Sequence, residues 1–105
     1  MRKPPKKIPR ASPPNHLSTE GKALWTRLCR AFVLDDPGGL AMLRLACESF
    51  DRAERARKLI DADGEVITDR FDQKRVHPAA AVERDARSQM LAALKALKLD
   101  GGAEA

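Results

Sequence analysis

Tyrosine is absent, and Trp25, Phe32, Phe50 and Phe71 are the whole aromatic set. A chain of 105 residues is one domain at most, and with so little bulk it buries only a modest core of its own. Chains of this size often draw further burial from neighbouring subunits. Cysteine is scarce too. Cys29 and Cys47 sit in separate helical patterns, and neither has a second cysteine two to four residues away. Zinc-ligand spacing is therefore excluded, and buried free thiols in a reducing compartment are expected. No apolar run reaches the roughly 18 residues that a membrane-spanning helix needs. Met1 to Asn15 is basic but lacks the apolar segment of a signal peptide. A soluble protein inside the cell is expected. There is no glycine-rich phosphate loop followed by Lys and Ser or Thr, which argues against ATP hydrolysis. His16 and His77 stand in neither metal-ligand nor triad spacing. The sequence points to no enzyme, no metal and no cofactor.

Charge is present in quantity but unevenly placed. The net charge is +5. Arg2, Lys3, Lys6, Lys7 and Arg10 supply that whole excess within the first fifteen residues, where no acid occurs. Lys22, Arg27 and Arg30 follow against Glu20 alone. From residue 35 onward, twelve bases face fourteen acids. One end of the chain is strongly cationic. That end also holds Pro4, Pro5, Pro9, Pro13 and Pro14, which forbid a continuous helix or ladder. Residues 1–15 therefore read as a disordered basic arm. Such arms neutralise phosphates and release counterions, giving salt-sensitive, sequence-tolerant binding to nucleic acid.

The rest reads as helix, long helix, hairpin, helix. Ser18 is a good N-cap, and Leu24, Trp25, Leu28, Cys29 and Phe32 form one apolar face to about Phe32. Asp36 caps a second helix with Pro37 at its first position. This helix runs to about Ala62, roughly 39 Å, with Gly64 as its C-terminal stop. It carries two offset stripes: Leu40, Leu43, Cys47 and Phe50, then Met42, Ala46, Ala53, Ala56 and Ile60. Two stripes suit two partners, one inside the subunit and one outside. Leu40, Met42, Ala46, Ala53 and Ile60 are thus candidate oligomer contacts. Glu48-Arg52, Asp51-Arg55 and Glu54-Lys58 are spaced as acid-before-base pairs on its polar face.

Glu65–Thr68 and Lys74–His77 read as a short hairpin joined by Asp69–Gln73. Phe71, near its tip, either presents a contact surface, which makes it a further candidate oligomer contact, or folds back onto the helices. His77-Pro78 starts a third helix to about Lys98, with Val82, Ala86, Met90, Ala93, Leu94 and Leu97 as its apolar face and Glu83-Arg87 as a four-spaced pair. His77 is expected to cap, or to hold the hairpin against this helix. Asp61 and Asp63 read as helix-end and turn residues. The fold class is mainly α: three helices, the central one long, and a small β-hairpin between the second and third. The domain spans 16–100, and 101–105 is a short flexible tail.

Two segments carry a family resemblance. HLSTEGKALWTRLCRAFVLDDPGGLAMLRLACESFDRAE has a His-Leu-Ser start, a Trp-bearing helix and an Asp-rich junction to a second helix. GEVITDRFDQKRVHPAAAVERDARSQMLAALKALKLD has a Gly-led hairpin, His-Pro, and a charged-then-apolar helix ending in Leu-x-Leu. Together they resemble the small subunits of phage terminases over His16 to Asp100. The resemblance implies a non-catalytic adaptor that recognises double-stranded viral DNA at packaging initiation, in the host cell cytoplasm. It implies a homo-oligomeric ring of roughly eight to twelve copies. The partner it implies is the large terminase subunit, which holds the ATPase and nuclease. Arg2, Lys3, Lys6, Lys7, Arg10, Lys22, Arg27 and Arg30 become the expected phosphate contacts. The second helix is long and its polar face self-paired, which departs from the helix-turn-helix of some members. A small dimeric helical regulator or antitoxin is the alternative, and an interaction module without a nucleic-acid role is a third.

Overall fold

The computed structural model describes residues 11–34 and 36–98. Within them the order is α1 (Thr19–Ala31), α2 (Pro37–Asp63), β1 (Val66–Thr68), β2 (Lys74–Val76) and α3 (Ala79–Ala96). The expected fold class is therefore the observed one. Each end has a local cause. Ser18 Oγ accepts from Gly21 N at 2.9 Å and caps α1. Asp36 Oδ2 accepts from Gly39 N at 2.9 Å, with Pro37 at the first position of α2. Gly64, at φ 90°, ends α2 while its N–H reaches Ile60 O at 2.7 Å. The hairpin pairs Val66 with Val76, Ile67 with Arg75 and Thr68 with Lys74, antiparallel. Asp69 builds its turn: one carboxylate oxygen accepts from Phe71 N at 2.8 Å and Gln73 N at 3.0 Å, the other from Arg75 at 2.6 Å. The Arg75 bond first, and the backbone donors second, hold this carboxyl below its usual range.

α2 and α3 lie antiparallel along a seam of small side chains. Ala46, Ala53 and Ile60 on α2 recur every seven residues and are 0%, 0% and 3% exposed. Ala79, Ala86 and Ala93 do the same on α3. Cross-helix bonds fix the register: Arg52 to Gln89 at 3.0 Å on one flank, Arg87 to Glu54 at 3.3 Å on the other. In that register Ala46, Ala53 and Ile60 stand level with Ala93, Ala86 and Ala79. A seven-residue repeat of buried positions is the geometry of knobs-into-holes packing. Small side chains on both sides bring the axes toward the short end of the 8–10 Å range. This narrows the expected interface. Ala46, Ala53 and Ile60 face α3 of their own chain, so no neighbour reaches them while α3 is in place. Val82, expected on the α3 core face, is 44% exposed, and Ala79 takes the buried place.

One polar atom in the seam is unpartnered. Ser49 is 0% exposed, and its Oγ has no hydrogen-bond partner. A buried, unsatisfied hydroxyl costs about 1–3 kcal/mol. Ser49→Ala should therefore raise stability by about 1 kcal/mol, which moves the melting midpoint up by about 4–8 °C. Calorimetry checks this, and a lower midpoint would mean that the hydroxyl is bonded after all.

α1 docks on the adjacent face of α2, near its start, within reach of the end of α3. Leu17, Trp25, Leu43 and Cys47 form the buried cluster, with Leu24, Leu28, Cys29, Leu34, Leu40 and Leu97 packed around it. The far half of α2 has α3 and the hairpin but no α1. The expected disordered arm extended to Asn15. Of its described part, Ala11 O accepts from Trp25 Nε1 at 3.0 Å and Pro14 O from Leu17 N at 3.3 Å. Residues 11–15 are thus tied to the domain.

Candidate nucleic-acid interface

α1 presents its charge on the side turned away from the core. Trp25 points inward at 4% exposure. Arg27 and Arg30 fall on the opposite face by helix periodicity, and both are exposed. Lys22, half-buried, lies at the edge of that face. Among the described residues, none of the three is in an ion pair. Their only acidic neighbour on α1 is Glu20. Arg2, Lys3, Lys6, Lys7 and Arg10 lie outside the described residues.

Two contacts hold this helix in position. Asp51, 3% exposed, accepts from Ser18 N at 2.7 Å and Ser18 Oγ at 2.6 Å. One buried carboxylate of α2 thereby fixes the N-cap of α1. Gly21 is required beneath it, because a Cβ there would lie 2.5 Å from Asp51 Oδ1. The second contact is the Trp25–Ala11 bond, which anchors the chain just after the basic arm at the same helix. Asp51 was expected to pair with Arg55 but takes Ser18 instead. A signal for this was present: Asp51 follows Cys47 by four residues, on the buried stripe.

The expected pairs on α2 rearrange as well. Glu48 bonds Arg44 at 3.0 Å and His16 at 2.6 Å. The Arg44 bond first, with His16 after it, holds this carboxyl below its usual range. Arg52 goes to Gln89 and Glu54 to Arg87. Only the α3 pair, Glu83–Arg87 at 3.0 Å, forms as the spacing suggests. Arg52 bonds across to α3 instead of along α2, while Arg57 and Arg87 do both.

At the far end, His77 acts as expected. Its Nδ1 accepts from Ala79 N at 3.0 Å, capping α3, which leaves Nε2 to donate to Asp63 at 2.8 Å. Arg57 reaches Asp61 at 3.2 Å, Glu65 at 3.6 Å and Glu83 at 3.4 Å, joining α2, the hairpin root and α3. Phe71 stands out from the hairpin at 67% exposure, with the Arg70 guanidinium 5.1 Å from its ring centroid. Leu40 and Met42 are half-buried, Leu40 at the edge of the α1 cluster.

A cleft of about 240 Å³ beside the start of α1 is lined by His16, Leu17, Glu48, Asp51, Arg52 and Arg55. Both of its acids are already engaged. Cys47 is fully buried; burial, then the nearby Asp51, Cys29 and Glu48, push its thiol up to about 12, so it stays neutral and inert. Among the described residues no cluster of His, Cys, Asp or Glu could hold a metal ion, and no helix is long and apolar enough to cross a membrane.

These features define a class: a small helical protein built on an alanine-seamed pair, with a cationic helix at one end and a β-hairpin at the other. The chain belongs to the phage terminase small-subunit family, whose model, "Phage terminase, small subunit", matches residues 21–105. No curated protein and no solved structure matches the chain. Membership gives it a general role in phage DNA packaging, in a family of generally non-catalytic, DNA-binding or regulatory subunits.

Proposed function

We propose that this chain gathers viral DNA at packaging initiation, assembles into a ring and presents the DNA to the large ATPase/nuclease subunit in the host cytoplasm. The observation that carries this reading is the unpaired cationic face of α1 in a chain of this family. Lys22, Arg27 and Arg30 contact phosphates, and the arm residues Arg2, Lys3, Lys6, Lys7 and Arg10 add to them. Each copy binds weakly through so few contacts. Many copies held together bind well, because every further contact is made at high effective concentration. The match to the family favours this reading over the dimeric regulator.

The test is DNA affinity against salt. Each lost phosphate contact should flatten the log–log slope by about 0.9. Arg27→Glu/Arg30→Glu should weaken binding at least tenfold at low salt and flatten the slope by about two. Deleting residues 1–10, which removes five cations, should weaken binding further and flatten the slope by about 4–5; the cut stops there because Ala11 holds Trp25. Unchanged affinity and slope in both would sink the proposal. Native mass spectrometry tests assembly: a ring of roughly eight to twelve copies is expected, whereas a dimer would return the regulator to first place.

A further inference from the structure

We propose that Arg52, Arg55 and Lys58, on the strip of α2 just past the start of α1, form a second phosphate-contact surface for duplex DNA. This rests on the DNA-gathering role proposed above and adds a site to it. In the sequence each of the three has an acid four residues earlier: Glu48, Asp51 and Glu54. A face paired in that way would be neutral. In the fold all three acids go elsewhere. Glu48 is held by Arg44 at 3.0 Å and His16 at 2.6 Å. Asp51 is buried and accepts from Ser18. Glu54 reaches Arg87 at 3.3 Å.

The remaining acids of the helix pair are engaged too. On α2, Asp61 meets Arg57 at 3.2 Å and Asp63 meets His77 at 2.8 Å. On α3, Glu83 meets Arg57 at 3.4 Å and Arg87 at 3.0 Å, and Asp85 meets Arg84 at 3.4 Å. Neither helix has an acid left over for Arg52, Arg55 or Lys58. Among the described residues none of these three is in an ion pair, and all three are exposed. The fold thus turns a face that spacing would neutralise into a cationic one.

Position makes the three one surface. Arg55 and Lys58 follow Asp51 by four and seven residues, so they continue the face of α2 that holds the cap of α1. α1 itself packs on the other side of that cap, against Leu43 and Cys47, and leaves this strip open. Arg52 and Arg55 both line the cleft of about 240 Å³ beside the start of α1. Arg52 Nη1 donates to Gln89 Oε1 at 3.0 Å. A neutral acceptor orients the guanidinium without cancelling its charge and leaves most of its five N–H donors free. That planar fork matches phosphate oxygens in pairs, and Lys58 adds a point charge. From Arg52 to Lys58 the strip runs about 9 Å. A duplex presents a charge about every 1.7 Å of its axis, so one backbone can meet all three cations. The charge of the strip selects a polyanion, and its length selects an extended one.

The full chain carrying Arg55→Gln/Lys58→Gln decides the matter, by duplex affinity against salt with circular dichroism on the same samples. Both side chains are exposed and unbonded among the described residues, so helical content should be kept. Binding should weaken at least tenfold at low salt, and the log–log slope should flatten by about two. Arg55→Lys/Lys58→Arg, which keeps both charges, should bind as the wild type does. Arg52→Gln, flattening the slope by about one, serves if the double variant loses helix. Inorganic phosphate in place of chloride at equal ionic strength should leave duplex affinity unchanged. A loss there that the double variant does not share would make the cleft a site for free phosphate and overturn the backbone assignment. If the double variant loses polyglutamate but keeps DNA, the occupant is an acidic protein segment and the proposal falls. A helical double variant with wild-type affinity and slope, beside an Arg27→Glu/Arg30→Glu variant that loses both, overturns this surface and leaves the DNA role standing. A wild type that binds no DNA at low salt overturns both.

Discussion

Trp25→Ala is expected to cost about 3–5 kcal/mol, most of what a domain of this size has to lose. Trp25 is the largest side chain in a core otherwise built from Leu17, Leu43 and Cys47. Removing its ring leaves a hole that α1 and α2 cannot close without moving. It also orphans Ala11 O, which accepts from the indole at 3.0 Å. Trp25→Phe separates the two losses: it keeps most of the apolar bulk but not the donor, so it should cost about 1–2 kcal/mol. Urea unfolding followed by far-ultraviolet circular dichroism measures both. Because α1 carries Lys22, Arg27 and Arg30, Trp25→Ala should weaken DNA binding with no charge changed, and Trp25→Phe much less. A cost below 1 kcal/mol for the alanine variant would mean that α1 is not docked where it is described.

The elements were legible because each has a local signature. Ser18 and Asp36 are side-chain caps, Pro37 suits a first helical position, and Gly64 takes the positive φ that ends α2. The Trp25 face and the Leu43–Cys47 stripe were each read from periodicity, and in the fold they meet. His77 caps α3 because an imidazole just before the first turn has an amide to accept from. Partner choice was not legible, for reasons of competition rather than propensity. Spacing alone favours Glu48-Arg52, Asp51-Arg55 and Glu54-Lys58. In the fold, Asp51 is buried under the α1 cap, while Arg52 and Glu54 meet α3 across the seam. A four-residue pair is worth only a few tenths of a kcal/mol, so a tertiary partner replaces it at Arg52 and shares the side chain with it at Arg87. The second α2 stripe was seen, but its partner inside the chain was not: Ala46, Ala53 and Ile60 face α3. Its period of seven, repeated by Ala79, Ala86 and Ala93, marks α3 as its partner. The cationic end was plain from the sequence, but which cations α1 turns outward needed the position of Trp25.

Ala53→Leu is expected to be nearly as damaging, by the opposite route. Ala53 is 0% exposed at the middle of the seam, level with Ala86. An isobutyl group there must push α2 and α3 apart, since neither offers space for it. Overpacking of this kind costs about 1–3 kcal/mol. Here the strain falls on cross-helix bonds made by the residues on either side, Arg52 to Gln89 and Glu54 to Arg87. Their loosening adds to the cost, and a total of about 3 kcal/mol or more is expected. Ala53→Gly, which adds no bulk, should cost only about 0.5–1 kcal/mol through helix propensity. The comparison also bears on assembly. A seam within one chain predicts the same Ala53→Leu penalty at low and high protein concentration. A contact between subunits predicts a penalty that changes with concentration, because association then contributes to the measured stability. Denaturant midpoints at two concentrations a hundredfold apart separate the cases. A concentration-dependent penalty would move Ala46, Ala53 and Ile60 back to the subunit boundary that their stripe first suggested. A constant one keeps those three residues in the seam between α2 and α3 of a single chain.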